Sequence, residues 1–195
     1  MLLKAAHAVA RAGVLFGGVL ILLSALLIGI DVVLRRLFAT SIGGADELAG
    51  YALAIGSTWA LAATLLERGH IRIDSLYGLL PAAVRVLLDF IGLGLMVAFF
   101  ALVGWHGIGV VEQSWTAGSR SQSALEVPVI VPQLIWILGL GMFVLVGVLL
   151  VLAALAKLLA GDRGAVAQLI GTRSSEEDVA EEMRAAAARR AAEGA

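Results

Sequence analysis

The 195-residue sequence contains no cysteine, three prolines and three histidines. The absence of cysteine excludes disulfides, thiolate metal sites and cysteine nucleophiles. Charged residues are also scarce, at 15%, whereas 61% of the residues are hydrophobic. A chain of this length cannot bury so much apolar surface in a water-soluble core, and we therefore expect a membrane protein.

Four long runs lack charge almost entirely and are long enough to cross a bilayer as helices. A helix rises about 1.5 Å per residue, so about 20 residues span a hydrocarbon layer about 30 Å thick. The apolar positions are consecutive rather than alternating, which excludes a β-barrel. We predict an all-α membrane protein with four transmembrane helices at about residues 12–34, 48–66, 86–111 and 130–156. Residues 1–160 would form the transmembrane domain and residues 161–195 a cytoplasmic tail, helical or disordered.

The distribution of basic residues predicts the orientation. With the amino terminus in the cytoplasm, 11 of the 14 lysines and arginines lie on inner segments, and only Arg35, Arg36 and Arg120 lie outside. The positive-inside rule selects this topology, in which both termini are cytoplasmic. We expect the first apolar run to be a retained helix rather than a cleaved signal peptide. It is too long for a signal core, and no convincing small-residue cleavage site follows it.

The second apolar run is rich in small residues. Of the 19 residues from Leu48 to Leu66, 11 are Gly, Ala, Ser or Thr. Small residues allow helix backbones to approach closely in lipid, so we predict a central helix that is packed on all sides. In the third helix, the large aromatic side chains are expected to face lipid or the membrane interface. These residues are Phe99, Phe100, Trp105 and Trp115.

The segment between the first two helices, residues 30–51, is unusually polar. Asp31 and Arg35 are spaced i and i+4 and can pair on one helical face. Between the helices we predict an amphipathic linker that lies along the outer membrane surface. Gly43 and Gly44 would end its helical part.

Polar residues next to the second and fourth helices are candidates for external contacts. Asp46 and Glu47 fall where the second helix begins, and its dipole favours acids there. Glu47 either complements this dipole alone or also docks to a partner or to a linker arginine. Arg120 and Glu126, in the outer loop before the fourth helix, either contact a partner or are solvated loop charges. Pro128 suits the first turn of the fourth helix.

The residues carry no recognisable catalytic constellation, and we expect neither an enzyme nor a cofactor. A b-type haem would need two histidines on neighbouring helices, but His106 lies near the outer end of the third helix and His70 lies in an inner loop. A solute pathway would need charges at mid-membrane. Helices one, two and four have no charge at mid-membrane, and in the third helix Asp89 lies near the inner boundary and can pair with Arg85 four residues earlier. Four helices without a polar midplane suit a scaffold better than a transporter acting alone.

Four short motifs follow one another along the chain: DVVLRRLF at 31–38, ADELAGY at 45–51, RGHIRID at 68–74 and SQSALEVP at 121–128. In this order, on four helices, they resemble the small, DctQ-like membrane subunit of a tripartite ATP-independent periplasmic (TRAP) transporter over roughly residues 10–160. The family often has an aromatic residue before the acidic pair, where this chain has Gly43 and Gly44. The resemblance implies interface or structural roles for the matching residues Arg35, Glu47, Gly69, His70, Asp74, Ser123 and Pro128.

The resemblance also implies partners. In such systems a soluble periplasmic protein captures an organic acid, and a large membrane subunit carries substrate and sodium sites and moves like an elevator. The small subunit enlarges the static scaffold. This chain would then lie among lipids in the bacterial inner membrane, hold the large subunit and offer residues 31–47 and 112–127 to the binding protein, with no nucleic-acid partner. Two alternatives stay open: a haem-bearing anchor subunit of an electron-transfer complex, and a scaffold unrelated to transport.

Overall fold

The computed structural model describes residues 2–69, 77, 79–171, 179, 183, 184, 186, 187, 189 and 190. Its helices are α1 (Leu2–Phe38), α2 (Ala45–Leu66), α3 (Ala82–Thr116), α4 (Ile130–Leu159) and α5 (Arg163–Ile170). Within these described residues there is no β-strand, and one isolated bridge joins Arg120 to Pro128. Helices α1 to α4 are each long and apolar enough to cross a bilayer, which agrees with the predicted number of four spans.

The long helices extend beyond the apolar runs that predict them. α1 has 37 residues and α3 has 35, which corresponds to about 55 and 52 Å of helix against a hydrocarbon layer of about 30 Å. Charged residues such as Arg11 and Arg85 continue these helices instead of ending them. Helix ends depend on backbone signals: α3 begins directly after Pro81, whose ring fixes a backbone angle compatible with a helix start.

The four long helices form a row. α1 packs against α2, α2 against α4, and α4 against α3, so α2 and α4 occupy the middle. This arrangement confirms the central position predicted for α2. The expectation that α2 is packed on all sides is wrong for this chain, because Gly50, Ala54 and Ser57 remain exposed on one face. A helix in the middle of a row has only two neighbours.

Glycines bring the backbones of neighbouring helices into contact. A Cβ atom on Gly17 of α1 would lie 2.8 Å from the Cα atom of Gly56 of α2. Between α2 and α4, a Cβ atom on Gly139 would lie 2.8 Å from the Trp59 ring. The Trp59 indole donates a hydrogen bond to the carbonyl of Ile135 at 2.9 Å, which ties the two central helices together. These contacts agree with the role of small residues in membrane helix packing.

The buried core includes α5 as well as the spanning helices. Leu93 and Phe143 are almost fully buried, and so are Val166 and Ile170 on α5, which packs on α4 and α3. Residues beyond the predicted boundary at 160 therefore contribute to the same core. Phe100 packs edge-on against Phe143 at 4.6 Å between ring centroids, and thus faces the core rather than lipid. The other three predicted aromatic anchors remain exposed on α3.

The connections lie at two ends of the row. The linker (residues 39–44) and the α3–α4 loop (residues 117–129) lie together at one end, which we call the linker end. The end of α2, the start of α3 and α5 lie at the opposite end, where Arg68 donates to the carbonyl of Ala167 on α5 at 3.4 Å. This alternation follows from four antiparallel passages of the chain.

Candidate functional site

Asp31 is a fully buried carboxylate near the end of α1. Arg35, one turn further, donates from Nε at 2.6 Å and also forms a salt bridge through Nη2. The other carboxylate oxygen accepts hydrogen bonds from the Ser41 hydroxyl at 2.9 Å and from the Ile42 backbone N–H at 2.7 Å. The pair predicted from i, i+4 spacing is therefore present. The same carboxylate also fixes the linker to α1.

The linker itself is short, because residues 31–38 continue α1 as helix. Gly43 and Gly44 have φ angles of 66° and 118°, a region that favours glycine. They also leave space for the α3–α4 loop. A Cβ atom on Gly44 would lie 2.6 Å from Leu125, and one on Gly43 would lie 3.2 Å from the Cβ atom of Ala124. A larger residue at either position would be strained by the backbone angle and would have to displace part of this loop.

The α3–α4 loop is held by its own hydrogen bonds. The backbone N–H of Ser121 donates to Val127 at 2.9 Å, and the N–H of Val127 donates to the Ser121 hydroxyl at 3.0 Å. Arg120 donates to the carbonyl of Glu126 at 3.1 Å, while both residues remain exposed. Pro128 pairs with Arg120 in the isolated bridge, just before α4 begins at Ile130. The exposed side chains of Arg120 and Glu126 therefore project from a loop whose backbone is held by hydrogen bonds.

Glu47 joins α2 to this loop. It lies with Asp46 in the first turn of α2, as predicted. The hydroxyls of Ser123, Tyr51 and Ser121 interact with its carboxylate. Its Oε1 atom is shielded from solvent and receives no hydrogen bond from the described residues. Among the described residues, no lysine or arginine forms a salt bridge with Glu47.

A groove of about 160 Å³ opens between α2 and α4 beside this cluster. Its lining residues are Tyr51, Ala54, Ile55, Pro132, Gln133 and Trp136. The side-chain oxygen of Gln133 is also buried, and no described residue donates a hydrogen bond to it. Neither Tyr51 nor Gln133 was predicted as a site residue. They line one groove only because α2 packs on α4. The sequence signal for Gln133 was a polar residue within an apolar run.

Three predicted residues belong to the α2–α3 connection. Gly69 donates from its backbone N–H to the carbonyl of Thr64 at 2.9 Å. Arg68 before it adopts the left-handed conformation, with φ of 56°, which completes a Schellman-type helix end. Gly69 thus closes α2. His70 and Asp74 lie outside the described residues, and their roles stay predictions.

Asp89 is a second buried carboxylate, in α3 towards the α5 end. It accepts a hydrogen bond from the Tyr77 hydroxyl at 2.7 Å. The guanidinium of Arg85 lies over the Tyr77 ring, 6.0 Å from its centroid. Arg85 therefore contacts the aromatic ring instead of forming the predicted ion pair with Asp89.

Comparison with protein families assigns the chain. Residues 24–160, well over half of the chain, match the family described as tripartite ATP-independent periplasmic transporters, DctQ component. The chain belongs to the DctQ family. This match confirms the resemblance seen in the four motifs, and it makes the chain a multi-pass membrane component of a transporter. The match covers the whole linker end and the groove between α2 and α4.

Two further comparisons and the positions of the histidines leave the DctQ assignment unchanged. Neither the curated proteins nor the solved structures give a match. His7 and His106 lie exposed on α1 and α3, at opposite edges of the row. Over the described ranges, no three His, Cys, Asp or Glu residues are grouped to hold a metal ion.

Proposed function

We propose that this DctQ-family chain is the small permease subunit of a secondary-active TRAP transporter. It lies in the bacterial inner membrane with both termini in the cytoplasm, so that the linker end faces the periplasm. It scaffolds a large, elevator-type membrane subunit and helps to dock the periplasmic substrate-binding protein during sodium-coupled uptake of an organic acid. Family membership supports the tripartite assembly, and the distribution of basic residues supports the orientation.

The scaffold proposal rests on the exposed face of α2, which we call its open face. Gly50, Ala54 and Ser57 are exposed there, although α2 is a central helix. Small residues do not improve packing against lipid, whereas they allow a neighbouring helix to approach closely. The face is therefore suited to a helix of the large subunit. The outer surfaces of α1 and α3 are almost wholly exposed and suited to lipid or to further contacts.

The linker end supports docking of the binding protein. The Asp31–Arg35 pair fixes the linker, and internal hydrogen bonds fix the α3–α4 loop. Docking surfaces bind more tightly when they are ordered before the partner arrives. Asp46, Arg120 and Glu126 are exposed on this fixed surface and offer charges of both signs.

Copurification tests the proposal. The proposed large subunit is tagged, both chains are produced together, and the complex is isolated in a mild detergent. We expect the untagged chain to copurify in constant ratio and uptake to require both subunits and the binding protein. Asp74→Ala is expected to lower the copurified amount without reducing membrane insertion. Absence of any stable multi-helix partner for the unaltered chain would overturn the proposal.

A further inference from the structure

Two side-chain acceptors beside the groove between α2 and α4 lack a hydrogen-bond donor. Gln133 lines the groove, and Glu47 lies one helical turn before the lining residue Tyr51. Each contains a side-chain oxygen that is shielded from solvent and accepts no hydrogen bond from the described residues. Buried acceptors without a partner are rare in folded proteins, because each costs about 1–3 kcal/mol of desolvation. Two of them next to one groove indicate that a donor is supplied by something other than the described part of this chain.

The charge of the missing donor follows from Glu47. Carboxylates near the membrane are stabilised by cations. Of the three arginines near the linker end, Arg35 pairs with Asp31, Arg120 donates to the Glu126 carbonyl, and Arg36 is exposed and forms no salt bridge with Glu47. Glu47 itself has no salt bridge to a described residue. The Ser123, Tyr51 and Ser121 hydroxyls that interact with this carboxylate are uncharged, so a cationic donor would complement it best.

The volume and the lining of the groove indicate which kind of cation would fit. Its volume of about 160 Å³ is close to that of a cavity that holds one benzene-sized group. Its walls are mostly apolar and include Ile55, Pro132 and Trp136, while Tyr51 connects the groove to the Glu47 carboxylate. An arginine side chain combines an apolar stem, a flat head that stacks on indole rings and a fork of donors that can reach two acceptors.

We propose that this groove is a receptor for one arginine side chain of the large membrane subunit, whose guanidinium donates to Glu47 and Gln133. The proposal rests on the proposed function and adds the chemistry of the contact. The groove includes Ala54, which also belongs to the open face of α2. A helix of the large subunit packed on that face would carry the arginine next to the groove.

Two variants with matched controls test the contact. Glu47→Gln removes the charge, and Gln133→Leu removes the amide acceptor, and neither changes the side-chain volume much. We expect each to lower the affinity for the large subunit, measured as the dissociation constant of the purified complex, by at least tenfold. The controls Glu112→Gln and Gln113→Leu make the same changes at exposed positions of α3 near the same end and should leave the affinity unchanged.

A photo-crosslinker in place of Trp136 identifies the occupant in an otherwise unaltered chain. We expect crosslinks to a segment of the large subunit that contains an arginine, and charge reversal of that arginine should be compensated by Glu47→Arg. Crosslinking to phospholipid alone, or to the binding protein, would overturn the proposal. So would unchanged affinity in both variants while the unaltered chain still binds. Failure of the unaltered chain to bind would instead overturn the proposed function.

Discussion

At the residue scale, Asp31 determines the conformation of the linker end. Its buried carboxylate accepts hydrogen bonds from Arg35, Ser41 and Ile42, which lie up to 11 positions further along the chain. A buried carboxylate is stable only when it is paired and hydrogen-bonded, and both conditions are met here. The residue therefore converts the linker into a fixed surface.

Asp31→Ala should release the linker without unfolding the row of helices. The Ile42 N–H loses its acceptor, and Arg35 loses its partner. We expect faster hydrogen–deuterium exchange in residues 39–44, with exchange in the middle of α2 unchanged. Glu112→Ala, which removes an exposed carboxylate, is the control. Exchange in the linker that matches the unaltered chain would contradict this role.

Gly17 is the residue on which the α1–α2 contact depends most closely. A side chain there would meet the backbone of Gly56 at 2.8 Å, whereas the adjacent Gly18 has open space around it. Gly17→Leu should therefore lower the free energy of unfolding in detergent by about 1–3 kcal/mol, as overpacking does. Gly18→Leu should change it little. Equal effects of the two substitutions would show that the contact is absent.

At the scale of elements, the linker packs against the α3–α4 loop, because Gly43 and Gly44 leave space for Ala124 and Leu125. The chain has no cysteine, so introduced cysteines report contacts without interference. A Cβ atom on Gly43 would lie 3.2 Å from that of Ala124, slightly closer than the about 3.5–4.5 Å found in disulfides, so a small shift of the loop would allow the bond.

The double variant Gly43→Cys with Ala124→Cys should form a disulfide on mild oxidation. The measurement is loss of labelling by a maleimide polymer on a gel, with recovery after reduction. Pairing of Gly18→Cys with Ala124→Cys is the control, because Gly18 has no neighbour within 4 Å of its Cβ position. Full labelling of the Gly43 pair after oxidation would contradict the contact.

The elements could be predicted from the sequence better than their ends. Apolar runs identify what the bilayer covers, but a helix continues through charged residues such as Arg11 and Asp31 until a backbone signal ends it. The Asp31–Arg35 pair was predictable because local spacing determines it. Tyr51 and Gln133 were not, since their proximity depends on the order of helices in the row.

At the scale of the whole molecule, the row explains why the isolated chain leaves so much apolar surface exposed. The apolar windows of α1 and α3 each have only 11% of their residues buried inside the chain. Lipid covers such surfaces at no cost, so exposure alone does not require a partner. The small residues on α2 and the unpaired acceptors beside the groove are what favour one.

Single cysteines should report the orientation of the molecule. Gln122→Cys lies on the exposed α3–α4 loop, and Gln168→Cys lies on the exposed side of α5. We expect a membrane-impermeant maleimide to label the first in intact spheroplasts and the second only after lysis. The reverse pattern would place the linker end in the cytoplasm and contradict the proposed docking of a periplasmic protein.

The central claim is that this chain supports a transport path that lies in another subunit. Uptake of organic acids into proteoliposomes under a sodium gradient tests it most directly. We predict no uptake above empty vesicles with this chain alone, and uptake once the large subunit and the binding protein are added. Solute uptake by the chain alone would contradict the account.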